Sequence, residues 1–404
     1  MTAFDLFAVG DNCIDKLSGH AEAVLVGGNA VNVAVQTARS GLSAAYAGAL
    51  GPDGDRVADT LAANGVDIRW LVRRDAPTSV TEIYVGADGE RTILKEDFGA
   101  CSGWTPDAAA RAAIAQARHV HIGWLDDGGA LRRALKASGI SVSQDLSVNV
   151  TSEENIRADG LSIAFASLPE ARASEAAGRA AALVADGADT AAILPTFLGN
   201  HDMGRVGFFV KQANPEADDA EVMARVKLAH GLMMFMRGVP VIYSGDAQGV
   251  VSDGNDQSPR QDMFPSRTAV YNDNDLIGTD ATTAESNFDK AHPLYRYIAE
   301  TAAIRRAHPA LSRGEMLPRL TEQDGSLFAF SRFAPVTGHE YLIVANTGNT
   351  ARSTNINIDS ASSDMATLSG GCGAMKTTGV VSLDIPAFGL TVCRSATPSS
   401  RFGK

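Results

Sequence analysis

The chain has 404 residues, a formal net charge of −12 at pH 7, and hydrophobic and charged fractions of 45% and 20%. This length predicts two or three domains, and the composition is that of an ordinary soluble globular protein. The acidic balance argues against nucleic acid and against an anionic membrane surface as partners, because both require a basic face. Neutral sugars remain compatible partners.

The N-terminal sequence and the cysteines indicate in which cellular compartment the protein is expected. The opening sequence MTAFDLFAVGDN is interpreted as a buried strand that ends in a polar loop, not as a signal peptide, and no apolar run is long enough for a membrane helix. Cys13, Cys101, Cys372 and Cys393 lie far apart, so a structural zinc site is not expected. We interpret them as free thiols of a reducing, cytoplasmic compartment. A Cys372–Cys393 bridge is the open alternative.

Short apolar runs alternate with Ala-rich helical stretches from the start to about residue 190. Phe4–Val9 and His119–Ile122 are predicted strands, and helical spacing marks Val31–Ser40, Asp55–Asn64 and Pro106–Ala117. This alternation predicts a parallel or mostly parallel sheet with helices packed against it.

One β-rich segment interrupts the alternation. Ser79–Val85 and Arg91–Lys95 flank Ala87-Asp88-Gly89, and Asp-Gly favours a tight hairpin turn. We predict a hairpin that stands apart from the main sheet and can close over a ligand.

The second half has a different character. Residues 221–237 have helical periodicity and residues 238–243 form a short apolar strand. Alternating segments then predict a terminal antiparallel β domain: Leu327–Phe333, Glu340–Ala345, Thr354–Ile358 and Val380–Ile385. The predicted domains are 1–189, 190–320 and 321–404.

The densest polar pattern of the first half is GGNAVNVAV at 27–35. Gly28 lets the backbone approach a ligand closely, and Asn29 stands where a helix should begin, so its amide can cap that helix or bond a sugar hydroxyl. Asn32 follows about one turn later on the same face. Asp11 ends the first strand, where ligands of open α/β sheets bind, and can accept hydrogen bonds from two adjacent hydroxyls. A plain Gly-Gly turn with an Asn cap is the structural alternative.

Four stretches resemble the ribokinase/PfkB sugar-kinase family: VGDNCID at 9–15, GGNAVNVAVQTARSG at 27–41, GALGPDGDRVADTLAANGVD at 48–67 and FASLPEA at 165–171. The first and last look closest to the fructoselysine and fructosamine kinase branch. The resemblance spans residues 3–188 and implies a ribokinase-like α/β sandwich with a lid at 76–100. It also implies that the sugar is contacted by Asp11, Gly28, Asn29 and Asn32.

The second motif of that family, Asp-Thr-x-Gly-Ala-Gly-Asp, has no counterpart in the sequence, where the nearest string is GADT at 187–190. In the family this motif stabilises the transferring phosphoryl group and supplies the base. ATP and Mg²⁺ are therefore expected as cofactors only if the kinase site is completed elsewhere.

The loop FLGNHDMGR at 197–205 follows a short apolar segment, so its polar residues stand at a strand end, where barrels carry their active sites. His201 and Asp202 together can bond the two hydroxyls next to the reacting carbon of a sugar. An Asx-type turn is the structural alternative.

This loop belongs to a set that resembles the α-amylase family of glycoside hydrolases: FLGNHDMGR, RGVPVIYSGDAQG at 237–249, DGNDQSPRQDMF at 253–264 and HPLYRYIAETAAIRRAHPAL at 292–311. The resemblance spans residues 192–395 and implies the last two barrel strands and a C-terminal β-sandwich. It makes Asp202 the carboxylate that stabilises the transition state and His201 its neighbour at the cleavage point. Asn200 would support the loop, and Arg205 would lie at the cleft edge.

The nucleophile and the acid of that family come from earlier barrel strands, and neither motif precedes residue 192. Retaining glycosidases need two such carboxylates about 5 Å apart. Ala247 also stands where the family has Glu after Gly-Asp. The hydrolase set is therefore predicted to be incomplete.

Three other patterns receive structural interpretations. His119 and His121 alternate on one strand, a spacing more typical of a structural pair than of a metal site. The acidic loop around Asp253, Asp256 and Asp262 is interpreted as solvated, not as a calcium site. The Met-rich run at 232–236 is core.

The sequence thus predicts a partial ribokinase-like α/β sandwich, a barrel remnant and a β-sandwich. The favoured function is a fused chain whose halves bind a small sugar or an α-glucan without completing either reaction. The alternatives are an α-glucan-acting glycoside hydrolase and an ATP-dependent, fructosamine-type sugar kinase. A homo-oligomer is compatible with each of these, and no metal is expected.

Overall fold

The computed structural model describes residues 4–20, 22–87, 91–145, 162–165, 192, 194–252, 254, 258–272, 276–322 and 325–401. The chain forms two compact units, Met1–Asp186 and Gly187–Lys404. Most of FASLPEA at 165–171, the string at 187–190, Asp253 and Asp256 lie outside the described residues. The predicted boundaries at 190 and 320 stay predictions.

A six-stranded parallel sheet is the centre of the N-terminal unit. Its strands are β1 (Phe4–Val9), β4 (Ala44–Leu50), β5 (Asp67–Arg73), β8 (Ala117–Ile122), β9 (Ser141–Asp145) and β10 (Ile163–Phe165). They lie in the order β10-β9-β8-β1-β4-β5, and every neighbouring pair is parallel. The predicted strands at 4–9 and 119–122 are confirmed, and they are adjacent in the sheet.

Helices cover both faces of this sheet. Successive residues of a strand point to opposite sides, and both sides present apolar side chains that must be buried. Phe7 and Val9 belong to one buried cluster, which Ile114 and Leu131 also join. Ala8 belongs to the cluster on the other face. The helices are α1 (Asn29–Arg39), α2 (Asp55–Ala63), α3 (Ala108–Ile114) and α4 (Ala130–Ala137). The predicted α/β sandwich is confirmed.

A second, four-stranded sheet stands apart from the first one. It contains β2 (Cys13–Gly19), β3 (Ala23–Gly27), β6 (Val80–Val85) and β7 (Arg91–Asp97), in the order β3-β2-β6-β7. The antiparallel pair β6–β7 confirms the predicted hairpin, whose turn at 88–90 is not among the described residues. β2 and β3 were not predicted, because β2 mixes apolar and polar residues without a regular alternation and β3 is an apolar run of only five residues.

The C-terminal unit begins with a short parallel pair of strands, β11 (Pro195–Phe197) and β12 (Val239–Val241). The connection between them contains α5 (Val206–Ala213) and α6 (Asp219–Phe235), and α7 (Pro293–Ala307) and α8 (Ala310–Arg313) follow later in the chain. The helix predicted at 221–237 is confirmed, and Asp218 caps its start by accepting from the Glu221 N–H at 2.8 Å. This strand–helix–strand arrangement is the predicted barrel remnant.

Two antiparallel sheets complete the C-terminal unit. The larger has the order β13-β14-β15-β20-β17, formed by Glu315–Thr321, Leu327–Phe333, His339–Asn346, Leu390–Pro398 and Ala366–Ser369. The smaller has the order β16-β19-β18, formed by Arg352–Asn357, Val380–Ile385 and Met375–Thr377. Apolar side chains of both sheets share one buried cluster, which includes Leu342, Val344, Val381 and Leu383. The predicted β-sandwich is confirmed.

Cys372 and Cys393 form a disulfide with a Cα–Cα distance of 5.8 Å. The interpretation of all four cysteines as thiols is therefore wrong for this pair, whereas Cys13 and Cys101 are free. Disulfides persist mainly in oxidising compartments. The cytoplasmic location stays a prediction, and this bridge is an observation against it.

Within the described part of the chain, no helix is both long enough and apolar enough to cross a bilayer.

We predict that Gly28→Ala destabilises the N-terminal unit far more than Gly41→Ala. Both glycines have positive φ, +99° and +80°, but a Cβ at Gly28 would lie 2.6 Å from the Asn12 Cα, whereas nothing lies within 4 Å of one at Gly41. The expected losses of unfolding free energy are about 1 kcal/mol for Gly41→Ala and at least about 3 kcal/mol for Gly28→Ala.

Urea unfolding followed by tryptophan fluorescence measures this difference, because all three tryptophans, Trp70, Trp104 and Trp124, belong to the N-terminal unit. Equal losses for the two variants would contradict the steric argument.

Candidate functional site

The polar residues of the N-terminal unit meet at the carboxyl end of the parallel sheet. Asp11 follows β1, Trp124 follows β8, and Asp145 ends β9, and these three strands are neighbours. After β1 the chain continues to β4 and β5 on one side and later to β8, β9 and β10 on the other. The site therefore lies at a topological switch point, where open α/β sheets bind ligands.

The Asp11 carboxylate accepts hydrogen bonds from three backbone N–H groups, those of Asn29 at 2.6 Å, Ala30 at 3.3 Å and Trp124 at 2.9 Å. Asn29 and Ala30 begin α1, so Asp11 caps that helix from another element. Burial raises the pKa of Asp11, although the three N–H groups act to lower it. A carboxylate offers about four acceptor positions, so about one remains for a ligand hydroxyl, where two were predicted.

The loop that carries Asp11 is held from inside by buried polar groups. The Asn12 amide donates to the Tyr46 hydroxyl at 3.1 Å and to the Ala49 carbonyl at 2.8 Å. Tyr46 in turn donates to the Gly10 carbonyl at 2.8 Å. Asn12 and Tyr46 were not singled out from the sequence, because their partners are 34 to 37 residues away along the chain.

The side chain of Asn29 does not cap α1, because Asp11 already occupies that position. Its Nδ2 donates to the Asp145 carboxylate at 3.0 Å, and its Oδ1 contacts Nε2 of His121. Asn32 is exposed one turn later, and both asparagines line one open groove along α1 together with Gln36 and Thr37. The structure thus brings together the predicted Asp11, Gly28, Asn29 and Asn32. Their contact with a sugar stays a prediction.

An aromatic pair borders the same edge. Trp124 stacks on Phe98 with a ring-centroid distance of 4.2 Å. Phe98 directly follows β7, so the pair joins the base of the second sheet to the loop that binds Asp11. Neither residue was predicted from the sequence to belong to the site. Their positions just after strand ends could have indicated it.

The helix N-termini described in this unit are not free to bind a phosphate. Phosphates bind free helix N-termini, but aspartate carboxylates stand at each of these. Asp11 caps α1, Asp55 lies in the first turn of α2, and Asp107 caps α3. At the start of α4, Asp127 accepts from the N–H groups of Gly129 and Leu131. Within the described residues no group of three His, Cys, Asp or Glu side chains is arranged to hold a metal ion.

In the C-terminal unit, the loop after β11 is an Asx turn, which was the structural alternative for FLGNHDMGR. Asn200 Oδ1 accepts from the N–H groups of Asp202 at 2.8 Å and Met203 at 2.9 Å. The side chains of His201 and Asp202 are 60% and 61% exposed, with Nε2 and Oδ2 3.2 Å apart. Arg260 binds the Asp202 carboxylate at 3.0 Å. The turn presents His201 and Asp202 to solvent side by side.

Arg205 was predicted at the cleft edge, and that position is wrong. Its side chain is 0% exposed, and its guanidinium donates to Asp246 at 2.8 Å and to Gln261 at 3.0 Å, as well as to the carbonyl oxygens of residues 244 and 259. The guanidinium also lies over the Tyr243 ring, 4.4 Å from its centroid. Arg205 therefore holds two loops together from inside.

Burial dominates the electrostatics of this ion pair. It raises the pKa of Asp246 to about 6 even though Arg205 acts to lower it, and it lowers the pKa of Arg205. Ala247, which follows Asp246, supplies no carboxylate at this point. The pair accordingly positions the loops, and it adds little net stability relative to an apolar pair.

Comparison with known proteins assigns the two regions to different families. Residues 15–149 match the family model of the pfkB family carbohydrate kinases, and residues 172–314 match that of the alpha amylase catalytic domain. The chain thus combines a pfkB-type carbohydrate-kinase region with an α-amylase-type region.

Individual relatives match parts of the chain. It is 43% identical to an alpha-amylase of Streptomyces lividans over 203 residues, 50% of this chain and 22% of that protein. It is 29% identical to a beta/alpha-amylase of Paenibacillus polymyxa over 150 residues, 37% of this chain and 10% of that protein. The chain therefore corresponds to about a fifth and a tenth of the lengths of these two relatives.

Solved structures include matches from both families. Arabidopsis thaliana ribokinase complexed with ribose and ATP is 19% identical, with 45% of this chain and 69% of that chain covered and a TM-score of 0.38. An Anoxybacillus alpha-amylase is 14% identical, with 72% of this chain and 62% of that chain covered and a TM-score of 0.46.

We predict that Arg205→Ala destabilises the C-terminal unit by about 3–5 kcal/mol, because it leaves the buried Asp246 unpaired. The control is Arg401→Ala, which removes an exposed ion pair with Glu315 and should cost less than about 1 kcal/mol. Differential scanning calorimetry measures both losses, and the tryptophan-reported transition of the N-terminal unit serves as the internal reference. Similar losses for the two variants would contradict the anchoring role of Arg205.

The N-terminal unit should lose stability as the pH falls from about 6.5 to 4. Burial, then the nearby His119, lower the pKa of His121 to about 4, although Asp145 acts to raise it. The unfolded chain therefore binds a proton in this pH range that the folded chain does not. As a result, the free energy of unfolding falls by up to roughly 1.4 kcal/mol for each unit by which the pH decreases. Above pH 6.5 this contribution is constant.

Urea unfolding between pH 4.5 and 7.5, followed by tryptophan fluorescence, tests this pH dependence. His121→Gln should reduce the slope below pH 6.5. Parallel profiles for the wild type and the variant would show that His121 is not its source.

Proposed function

We propose that the N-terminal unit binds a small carbohydrate at the carboxyl end of its parallel sheet. The unit is part of a fused chain in which neither the pfkB-type nor the α-amylase-type region completes catalysis. The observation that carries this proposal is the meeting of Asp11, Asn29 and Trp124 at the switch point of the sheet.

The chemistry of this edge complements a neutral sugar. Asp11 retains about one acceptor position, and the amides of Asn29 and Asn32 each offer both donors and acceptors for hydroxyl groups. The stacked Phe98–Trp124 pair adds a flat apolar surface beside them. A few placed polar groups next to an aromatic surface are typical of small-molecule sites.

Incomplete phosphoryl transfer is supported by two independent features. The sequence contains no second kinase motif with its glycine turn and base. The helix N-termini among the described residues of the unit carry aspartates, which repel the phosphates of a nucleotide.

Incomplete hydrolysis is supported in the other unit. Asp202 stands on an exposed turn with Arg260 as its ion-pair partner, and neither the nucleophile motif nor the acid motif precedes residue 192. His201 and Asp202 can still contact an α-glucan. This unit is therefore proposed as a second carbohydrate contact.

Binding is tested by titrating the full chain with D-fructose and with Nε-fructosyl-lysine while tryptophan fluorescence and heat of binding are followed. Saturable binding is expected, with an affinity about tenfold lower in Asn32→Ala, because one hydrogen bond is lost. Gln116→Ala, which removes an exposed amide just after α3, is the matched control and should bind like the wild type. No saturable binding of either sugar would overturn the proposal.

Catalysis is tested with ATP plus each sugar, and with maltodextrin. The proposal expects neither phosphorylated sugar nor released reducing ends from the purified chain. Phosphoryl transfer that Asp11→Ala abolishes would instead establish the kinase alternative. Release of reducing sugar that Asp202→Asn abolishes would establish the hydrolase alternative.

A further inference from the structure

A continuous row of hydrogen-bonded side chains runs along β8 and β9 and reaches α1. In order it passes through Ser141, His119, Ser143, His121, Asn29 and Asp145. The distances are 3.0 Å from Ser141 to His119, 2.7 Å from His119 to Ser143, 2.9 Å from Ser143 to His121 and 3.0 Å from Asn29 to Asp145.

Strand pairing explains why these residues meet. His119 is opposite Ser141 and His121 is opposite Ser143 in the parallel ladder of β8 and β9. Alternate residues of a strand face the same side, so the patterns His-x-His and Ser-x-Ser-x-Asp form one polar strip. His121 and Ser143 are only 4% and 5% exposed. Such a buried strip is tolerated when each of its groups has a partner.

The hydrogen bonds of the row have a single direction. The Asp145 carboxylate only accepts, so the Asn29 atom beside it is Nδ2, and Oδ1 must face His121. His121 then carries its hydrogen on Nε2 and accepts the Ser143 hydroxyl hydrogen on Nδ1. By the same logic His119 donates from Nε2 to Ser143 and accepts from Ser141. One carboxylate therefore sets the tautomers of both histidines.

We propose that His121 and Asp145 are positioning residues of the carbohydrate site, and that they lock the Asn29 amide in one orientation toward the ligand. This inference rests on the proposed function of the N-terminal unit. Within the described residues, the second Nδ2 hydrogen and the second Oδ1 lone pair of Asn29 have no protein partner. A locked amide offers a donor on one side and an acceptor on the other, and so selects the orientation of a sugar hydroxyl.

Loss of the His121 donor should leave the Asn29 amide held only at its Nδ2 end, by Asp145, so that the Oδ1 end is no longer fixed. Sugar epimers that differ at one hydroxyl would then be bound more equally, because the acceptor end of the amide would no longer have a fixed position. Affinity should fall as well, since part of the binding free energy would be spent on ordering the side chain.

The first test needs no sugar. In the full chain labelled with ¹⁵N-histidine and ¹⁵N-asparagine, NMR at pH 7 should show His121 as the Nε2–H tautomer and a protected Asn29 side-chain amide. In His121→Leu that protection should decrease, because Asp145 alone then holds the amide, whereas His121→Gln, which keeps an N–H donor, should retain it. An Nδ1–H tautomer, or equal protection in the wild type and His121→Leu, overturns the inference.

The second test measures specificity by calorimetry with D-fructose and three sugars that each differ from it at one hydroxyl-bearing carbon, D-psicose, D-tagatose and L-sorbose. His121→Leu should weaken D-fructose binding about tenfold and reduce the ratio of epimer affinities. His121→Gln should restore both to within about threefold of the wild type, and Ser141→Ala, at the far end of the row, should change neither. Tryptophan fluorescence verifies that each variant is folded.

The two proposals fail differently. Unchanged affinity and unchanged epimer ratios in His121→Leu overturn the positioning role alone. Wild-type protein with the expected tautomer and amide protection that binds none of these sugars overturns the proposed function, and the sugar-specific part of this inference falls with it.

Discussion

The hydrogen bonds between the Asp11 carboxylate and three backbone N–H groups are the constraint on which the N-terminal unit depends. They join the end of β1 to the start of α1 and to the loop after β8. The surrounding glycines follow from this contact, because a Cβ at Gly123 would overlap the carboxylate and one at Gly28 would overlap the backbone of Asn12. Gly28 and Gly123 are therefore required by the packing of these loops, whether or not a ligand binds.

The C-terminal unit uses a buried cation for a similar purpose. The guanidinium of Arg205 joins the end of the Asn-His-Asp turn to the loops that contain Asp246 and Gln261. His201 and Asp202 remain exposed on the turn that this contact supports. In each unit, a buried charged group organises the loops after the strands, and neighbouring side chains stay available to a ligand.

Local patterns in the sequence were sufficient for several of the elements and for part of the site. Apolar runs identified β1 and β8, and Asp-Gly identified the β6–β7 hairpin. The second sheet could not be completed in the same way, because β2 has no regular apolar alternation and β3 is an apolar run of only five residues. For Cys372 and Cys393, spacing alone could not decide between thiols and the disulfide that the structure contains.

The hydrogen bonds within the site depend on the order of the strands in the sheet, which cannot be read from the sequence. Asn29 bonds His121 and Asp145, which lie 92 and 116 residues away, and these contacts exist only because β1, β8 and β9 are neighbours. Arg205 was expected at the cleft edge because the resemblance to the α-amylase family implied that position. Its burial becomes understandable only with Asp246 and Gln261 in place.

The most direct measurement of the central claim is amide hydrogen exchange in Asp11→Ala compared with the wild type. If Asp11 holds α1 and the β8 loop together, the amides of Asn29, Ala30 and Trp124 should all exchange faster in the variant. The amides of β4, in the interior of the sheet, should keep their protection. Unchanged protection at those three amides would contradict the account.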